Sequence, residues 1–225
     1  MIVQKSLVEL ALEEVKRLIA TGEMPAEHRI LEAHLSEELG VSRPTLREAL
    51  RILAAQHILE FSPRRGYRVV GLSDEDADEI FGLRRLLEEF ALERIAARIA
   101  EVDLTAMRKT MRLMWKEARD GDAIAVQSAH RQFHIQFIEL ADHRRLLESF
   151  VTLMNHTELY MMRSVSREAE NPGGLLESSA RHEELLDALD SRSPATARAA
   201  WVQHADQHYF MTPAKEPERA PQLLG

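Results

Sequence analysis

The stretch LSEELGVSRPTLREALRIL, residues 35–53, decides the fold of the amino-terminal part of the chain. Leu35 and Leu39 lie one helical turn apart, and Gly40 follows as a left-handed end for that helix. Ser42 is placed to cap the next helix, whose inward positions are apolar: Leu46, Ala49, Leu50 and Leu53. Two helices joined by such a short turn are typical of a helix-turn-helix, whose second helix enters the major groove of DNA.

The segments on either side of this stretch extend it to a small domain. An amphipathic helix is predicted from about Ser6 to Ile19. After the second helix of the turn come two extended segments, Ile58–Phe61 and Tyr67–Val70, joined by the loop SPRRG at residues 62–66. Three helices and one hairpin predict a winged helix-turn-helix over residues 1–72.

The remainder of the chain shows only helical patterns. Ser73 and Asp76 have the spacing of a capping box that opens a helix ending near Ala100. Further helices are predicted over 103–119, 122–141, 144–165, 175–190 and 195–211. The fold class is therefore mainly α: a winged helix-turn-helix followed by an all-α antiparallel bundle at residues 73–213, with a disordered tail at residues 214–225.

The distribution of charge decides whether nucleic acid is a plausible partner. The chain has a net charge of −8, but residues 1–72 hold ten basic and ten acidic side chains. Residues 41–72 carry six arginines against two glutamates. Because phosphate attraction is local and screened within about 10 Å, such a basic face binds DNA even on an acidic protein.

Two absences bound the class of protein further. The sequence has no cysteine, which excludes disulfides and thiolate metal ligands. No stretch approaches the roughly 18 uncharged apolar residues of a membrane span. We therefore expect a soluble, cytoplasmic protein.

At this level of detail the sequence resembles a known family. Residues 35–53, with a wing ending in Arg65-Gly66, resemble the DNA-binding domain of GntR transcription regulators. The later motifs resemble the FCD ligand-sensing domain of the FadR-like branch: LRRLLE at 83–88, Phe133-His134, HEELLDAL at 182–189 and RAAWVQH at 198–204. One departure from the family pattern is His57, where a glycine is usual; histidine can adopt the left-handed backbone conformation there at some cost.

The resemblance implies a DNA interface and a dimer. Its DNA contacts correspond here to Ser42, Arg43, Thr45, Arg47, Arg65 and Gly66. The chemistry of these residues agrees, since arginine reads guanine bidentately and glycine lets the wing backbone approach DNA closely. A homodimer would bind a palindromic double-stranded operator, and regulators of this family are typically repressors. Either domain could form the dimer contact.

The histidines form the second candidate site. His130 and His134 share one helix face, while His182 and His204 lie on the apolar faces of two further helices. Converging neutral imidazoles suit a divalent transition metal such as Zn or Ni. FCD domains bind a metal through one Asp and three His; His134, His182 and His204 match the histidines, and His130 stands at the position of the Asp. Alternatively, His208 completes the set and His130 supports it from outside.

A site of four histidines lacks a neutralising carboxylate, and we therefore expect an anionic effector, most simply a carboxylate. Arg84 matches a cavity arginine of the family that could hold such an effector; the alternative is a surface salt bridge with a helix glutamate. Asn155, Tyr160 and Arg163 are weaker cavity candidates.

The sequence offers two alternatives to metal-dependent sensing. One is the same fold with an organic effector held in a metal-free cavity. The other is a helical metalloenzyme, for which His182-Glu183 begins an HExxH motif, but residue 186 is leucine. The sequence also lacks the familiar catalytic fingerprints. We therefore predict a regulator and not an enzyme.

Overall fold

The computed structural model describes residues 5–71, 73–169 and 174–205, with the side chains of residues 74, 158, 159 and 161–169 excepted. The predicted tail at 214–225 lies outside these residues. The amino-terminal part contains α1 (Leu7–Ala20), α2 (Glu32–Glu38), α3 (Arg43–Ala55), β1 (Leu59–Ser62) and β2 (Gly66–Val69). This is the predicted arrangement of three helices and a hairpin.

The turn between α2 and α3 is set by local backbone chemistry. Gly40 has φ 63°, which ends α2 in the left-handed conformation predicted for it. The N–H of Val41 donates to the carbonyl of Ser36. Ser42 then caps α3 by accepting from the N–H of Thr45 at 3.2 Å. Four residues, 39–42, thus separate the two helices and fix the direction in which α3 leaves the domain.

A small hydrophobic core holds these elements together. From α3, Leu46, Leu50 and Leu53 are completely buried. They join Val15 of α1 and Val69 of β2 in one apolar cluster. Fully burying each such side chain contributes about 1.5–3 kcal/mol, so the inner face of α3 is fixed and its arginine-bearing face is left to solvent.

The hairpin is antiparallel and pairs Leu59 with Val69 and Ser62 with Gly66. Its loop closes through a hydrogen bond from the N–H of Arg65 to the carbonyl of Ser62. Positive φ angles at Arg64 (67°) and Gly66 (77°) turn the chain. His57, which stands where the family usually has glycine, adopts the left-handed conformation with a φ of 59°.

The second part consists of helices only. They are α4 (Asp74–Ala96), α5 (Thr105–Asp120), α6 (Ala123–Glu139), α7 (Arg144–Ala169), α8 (Gly174–Asp190) and α9 (Pro194–Ala205). The predicted capping box is present at Ser73 and Asp76. The first of these helices ends at Ala96, earlier than the predicted Ala100, and the predicted extension of the last helix to residue 211 lies outside the described residues.

The helical part has its own core, separate from that of the winged part. Its largest fully buried side chains include Phe133 and Phe137 of α6 and Phe150 of α7. Trp201 of α9 stacks on Phe137 with ring centroids 5.5 Å apart. None of the described helices is long and apolar enough to cross a membrane.

Candidate functional site

The amino-terminal end of α3 presents the residues predicted to meet DNA. Ser42, Arg43 and Arg47 are exposed, and Thr45 is partly exposed. The hydroxyls of Ser42 and Thr45 lie 2.7 Å apart, so both belong to the capping network and retain further hydrogen-bonding capacity. The exposed amides at a helix amino terminus favour phosphate oxygens.

The six arginines of residues 41–72 divide into two groups. Three are held by carboxylates: Arg47 by Glu32, Arg51 by Glu48, and Arg68 by Glu60 and Glu27. The other three are exposed and form no ion pair within the part of the chain that the structure describes: Arg43, Arg64 and Arg65. The uncompensated positive charge is therefore confined to the start of α3 and the tip of the wing.

The wing is anchored to the domain and yet open at its tip. The guanidinium of Arg29 donates to the carbonyl of Arg65 at 2.9 Å, which fixes the loop backbone. A side chain added at Gly66 would meet no heavy atom within 4 Å. This open space is what close approach to a sugar–phosphate backbone requires.

The four predicted histidines converge in the core of the helical part. His130 and His134 come from α6, His182 from α8 and His204 from α9. The first three are buried and His204 is partly buried. The ring of His130 lies 4.5 Å from that of His134 and 4.6 Å from that of His182, and the ring of His204 lies 4.7 Å from that of His182.

A chain of short hydrogen bonds runs through the cluster. Glu88 of α4 contacts the Nδ1 of His134 through its Oε1 at 2.6 Å. The Nε2 of His134 faces the Nε2 of His182 at 3.1 Å. The Nδ1 of His182 contacts the carbonyl oxygen of Ser178 at 2.6 Å. Arg84 donates to the same Glu88 oxygen at 3.3 Å.

The acceptor at the end of this chain decides where the hydrogens lie. Since a carbonyl only accepts, the Nδ1 of His182 carries a hydrogen, and the Nε2 of its neutral ring carries none. The Nε2 of His134 must then donate a hydrogen to it, or the two bare nitrogens must share a cation. In the first case Glu88 is protonated and donates to Nδ1; in the second, His134 donates from Nδ1 to the Glu88 carboxylate.

Burial controls the charge of these groups. It is the largest cause that lowers the pKa of His130, His134 and His182 well below the usual range, and it lowers the pKa of His204 to about 4. The imidazoles are therefore neutral at pH 7 and have lone pairs for a metal. Burial also raises the pKa of Glu88 to about 7, against the opposing effect of the Arg84 guanidinium.

The donor set fits a transition-metal ion. One ring nitrogen from each of His130, His134 and His182 lies within 4.8 Å of the others. Two nitrogens at about 2.0–2.1 Å from a tetrahedral metal are about 3.3 Å apart, close to the 3.1 Å between His134 and His182. The Nδ1 atoms of His130 and His204 are buried and have no hydrogen-bond partner among the described residues. His204 does not belong to this group of three possible ligands, and its ring lies beside theirs.

Glu88 is the functional residue that the sequence interpretation missed. It supplies the carboxylate that a site of four histidines was expected to lack. The helix glutamate considered as a partner for Arg84 is this residue, but the ion pair is buried, with side-chain exposures of 9% and 4%, and not on the surface. The sequence signal for this pair is the i, i+4 spacing of Arg84 and Glu88, which an ion pair on an exposed helix face shares.

The weaker cavity candidates have other hydrogen-bond partners or lie outside the described residues. Asn155 accepts a hydrogen bond from Arg131 at 2.8 Å. Tyr160 donates to the carbonyl of Ser73 at 2.8 Å, where the two parts of the chain meet. His208 and the side chain of Arg163 are outside the described part.

Family models match both parts of the chain. A family model described as bacterial regulatory proteins of the gntR family matches residues 7–69, and the FCD domain model matches residues 79–207. A gluconate operon transcriptional repressor of Bacillus subtilis (strain 168) is 30% identical over 161 residues, covering 67% of this chain and 64% of the relative.

A second relative and a solved structure extend over more of the chain. The "Probable D-xylose utilization operon transcriptional repressor" of Paenarthrobacter nicotinovorans is 28% identical over 186 residues, covering 83% of this chain and 80% of the relative. A GntR transcriptional regulator from Rhodococcus sp. RHA1 has a similar fold, with a TM-score of 0.68 at 22% identity, covering 91% of this chain and 96% of that one.

Proposed function

Because the chain belongs to the GntR family of DNA-binding transcription regulators and carries an FCD domain, we propose that it is a repressor controlled by a small carboxylate bound at its histidine cluster. The named relatives are regulators and not enzymes. The observation that carries the proposal is the pair of facing Nε2 atoms of His134 and His182, 3.1 Å apart in a buried site beside Glu88.

The DNA contacts of this proposal follow from the exposed charges. Arg43 and Arg47 enter the major groove from the start of α3, with Ser42 and Thr45 on phosphates or base edges. Arg65 and Gly66 bring the wing against the backbone of the operator. Arg47 reaches DNA by exchanging its ion pair with Glu32.

A divalent transition metal, Zn or Ni, fits the histidine donors. His130, His134 and His182 would hold it, and His204 stands beside them as a further ligand. Such an ion would supply a Lewis acid for the carboxylate of an effector. Glu88 orients the ring of His134 from behind, as a carboxylate commonly does for a metal-bound histidine.

The charge around the cluster favours an anionic effector. Arg84 and Arg181 both lower the pKa of His130, His182 and His204 through their positive charge, as secondary causes after burial. A divalent ion bound at the cluster would add to this positive charge. The relative in Bacillus subtilis is named for the gluconate operon, and gluconate is itself a carboxylate.

A metal-free cavity is the second candidate for the same regulator. The two guanidiniums would then hold the carboxylate, Arg84 bidentately. The hydrogen-bonded chain from Glu88 to Ser178 supports the metal-free cavity in one respect. If Glu88 is protonated, every hydrogen-bond donor in that chain has an acceptor, and no metal ion is needed to satisfy it. The two candidates differ in their response to chelators.

Control of DNA affinity requires two copies on a palindromic operator. Each recognition helix reads one half-site, with half-sites about one helical turn apart. A carboxylate in the bundle changes the relative position of the two DNA-binding parts. Ordinary allosteric coupling of about 1–3 kcal/mol would change operator affinity roughly 5- to 150-fold.

The test combines operator selection with an effector panel. Genomic fragments that the purified protein retains supply the operator, and fluorescence anisotropy measures its affinity at fixed salt. Sugar acids including gluconate, dicarboxylates and amino acids are added with and without EDTA. We expect one of these classes of carboxylate to weaken operator binding by the untreated wild type. The same compounds should have no effect after EDTA treatment or on the His134→Ala variant. A response unaffected by EDTA supports the metal-free cavity, and no response to any carboxylate contradicts both forms of the proposal.

A further inference from the structure

Two aromatic side chains lie side by side on the hairpin, at the edge of the core of the winged part. Phe61 of β1 and Tyr67 of β2 are partners in the antiparallel register, and their ring centroids lie 4.9 Å apart. Tyr67 packs against the core, whereas Phe61 is 55% exposed. A single exposed apolar side chain is ordinary, so the surroundings of these two rings, the aromatic platform, decide what they can do.

The aromatic platform lies on the face of the hairpin that packs against the helices. Leu59, two residues before Phe61, and Val69, two residues after Tyr67, are buried in the apolar core that also contains Leu50 of α3. Side chains two residues apart in a strand share one face of the sheet. The two rings therefore continue the buried face of the hairpin outward, past the edge of the core.

The arginine-bearing face of α3 borders the platform. Arg47 and Arg51 are exposed and lie one helical turn apart. Hydrogen bonds to Glu32 and Glu48 are the largest causes that raise the pKa of these two arginines, and the Tyr67 phenol is a smaller cause for both. The phenol therefore lies close to both guanidiniums.

The tip of the wing continues the hairpin beyond the platform, and the backbone there is fixed. The carbonyl of Tyr67 accepts a hydrogen bond from the N–H of Ile30 at 2.9 Å. The carbonyl of Arg65 accepts one from the Arg29 guanidinium, also at 2.9 Å. Arg64 and Arg65 are exposed and form no ion pair among the residues described. The two rings are thus held between two groups of arginines.

An apolar surface between positive charges matches the chemistry of a strand of double-stranded DNA. Along such a strand the phosphates carry the negative charge, and the deoxyribose rings between them present apolar C–H faces. The chain has a GntR DNA-binding domain, whose recognition helix enters the major groove. With the wing against the DNA backbone, the strand between α3 and the wing passes over the platform.

We propose that the aromatic platform of Phe61 and Tyr67 packs against a deoxyribose of the operator strand that runs between α3 and the wing. This placement rests on the proposed function in one respect, since Arg65 and Gly66 must bring the wing against the DNA backbone. The contact reads no base edge and neutralises no phosphate. It therefore adds affinity for the operator without releasing counterions.

The salt dependence of operator binding separates this contact from an ionic one. Phe61→Ala should weaken binding about 10-fold, the loss expected when roughly 55 Å² of apolar surface is no longer buried. The slope of log affinity against log salt should stay that of the wild type, whereas Arg65→Ala should reduce its magnitude by about 1. Phe61→Tyr keeps the ring and should recover most of the lost affinity.

Fluorescence anisotropy over a series of salt concentrations measures these affinities. Leu113→Ala is the matched control, since Leu113 lies on α5 with an exposed fraction of 49%, and it should bind like the wild type. An affinity of Phe61→Ala equal to that of the wild type would overturn the proposal. So would a loss of affinity accompanied by a change in slope, because the ring would then act by positioning the arginines of the wing.

Thiol protection gives a second test that does not depend on how much the ring contributes to affinity. The chain has no cysteine, so Phe61→Cys and Leu113→Cys each carry a single thiol. A saturating concentration of operator should slow the reaction of a maleimide with Phe61→Cys several-fold and leave Leu113→Cys unchanged. Equal rates for Phe61→Cys with and without operator would refute the platform even if Phe61→Ala failed to fold.

The platform and the proposed function can fail separately. A wild type that retains no genomic fragment would contradict the proposed control of an operator. A wild type that binds its operator and responds to a carboxylate, while the operator leaves the thiol of Phe61→Cys unprotected, would refute the platform alone.

Discussion

Replacing Glu88 with glutamine tests how the cluster prepares His134 for a metal. Glutamine keeps the size of the side chain and an oxygen acceptor, but it removes the negative charge behind the ring. The contact it alters is short, 2.6 Å, and buried, with Glu88 3% exposed. Because of both features, the Glu88 carboxylate interacts more strongly with the His134 ring than an exposed carboxylate would.

The magnitude follows from the difference between two hydrogen bonds. A bond to a charged group contributes about 1.5–3 kcal/mol and a neutral one about 1 kcal/mol. The loss is therefore about 0.5–2 kcal/mol, a roughly 2- to 30-fold weaker affinity for Zn or Ni. This overlaps the roughly 10- to 100-fold loss typical of changes to a residue that supports a metal ligand.

The assay is a competition titration with a chromophoric chelator at pH 8. At this pH Glu88 of the empty site, with its pKa raised to about 7 by burial, is mostly ionised, so the two variants differ by a full charge. Circular dichroism checks that Glu88→Gln is folded, because the change leaves the buried Arg84 without its carboxylate partner.

Helix α4 also offers a matched control. Glu89 pairs with Arg85 at the same i, i+4 spacing on a partly exposed side of the helix. Glu89→Gln should leave the metal affinity unchanged. If Glu88→Gln binds Zn and Ni as tightly as the wild type, Glu88 does not orient His134 and the reasoning from the hydrogen-bonded chain is wrong.

The remaining predictions concern DNA affinity and stability. Arg47→Ala should weaken operator binding by about 1–3 kcal/mol. Glu32→Gln should strengthen operator binding, because it releases the Arg47 guanidinium from its ion pair. Fluorescence anisotropy at fixed salt measures both affinities, and an affinity of Arg47→Ala equal to that of the wild type would show that Arg47 does not contact the operator. Phe133→Ala should destabilise the protein by about 3–5 kcal/mol, because the ring is fully buried between the helices; a urea midpoint within error of the wild type would contradict this. His57→Gly should raise the melting temperature, because it relieves a left-handed backbone that costs about 1–2 kcal/mol in residues other than glycine. Gln56→Gly is the control and should lower the melting temperature, since Gln56 has an ordinary φ of −87°. A lower melting temperature in both variants would show that the contacts of the His57 imidazole stabilise the protein by more than the backbone strain costs.

Much of the fold could be predicted because its signals are local. Gly40 and Ser42 specify the end of one helix and the start of the next through backbone conformation and a cap, and both are where the sequence placed them. Gly121 likewise ends α5 with φ 76°. The end of α4 was predicted four residues too late, at Ala100 instead of Ala96, since neither glycine nor proline marks it.

The histidine cluster could be anticipated from helix faces, because His130, His134 and His182 continue buried apolar stripes. Glu88 could not, because the middle of α4 inverts the usual pattern. There the buried face carries Arg84 and Glu88, while Leu83 and Leu86 are exposed. Hydrophobic periodicity identifies the buried face of a helix correctly only when the charged residues lie on the exposed face. A buried ion pair can therefore be recognised only when the helices that pack around it are known.

The most direct test of the account is the metal content of the purified protein, measured by elemental analysis before and after EDTA together with thermal melting. We expect close to one Zn or Ni per chain in the wild type, a lower melting temperature once it is stripped, and little metal in His134→Ala. A wild type that contains no metal, and whose melting temperature does not change when Zn or Ni is added, would contradict a metal site at the histidine cluster.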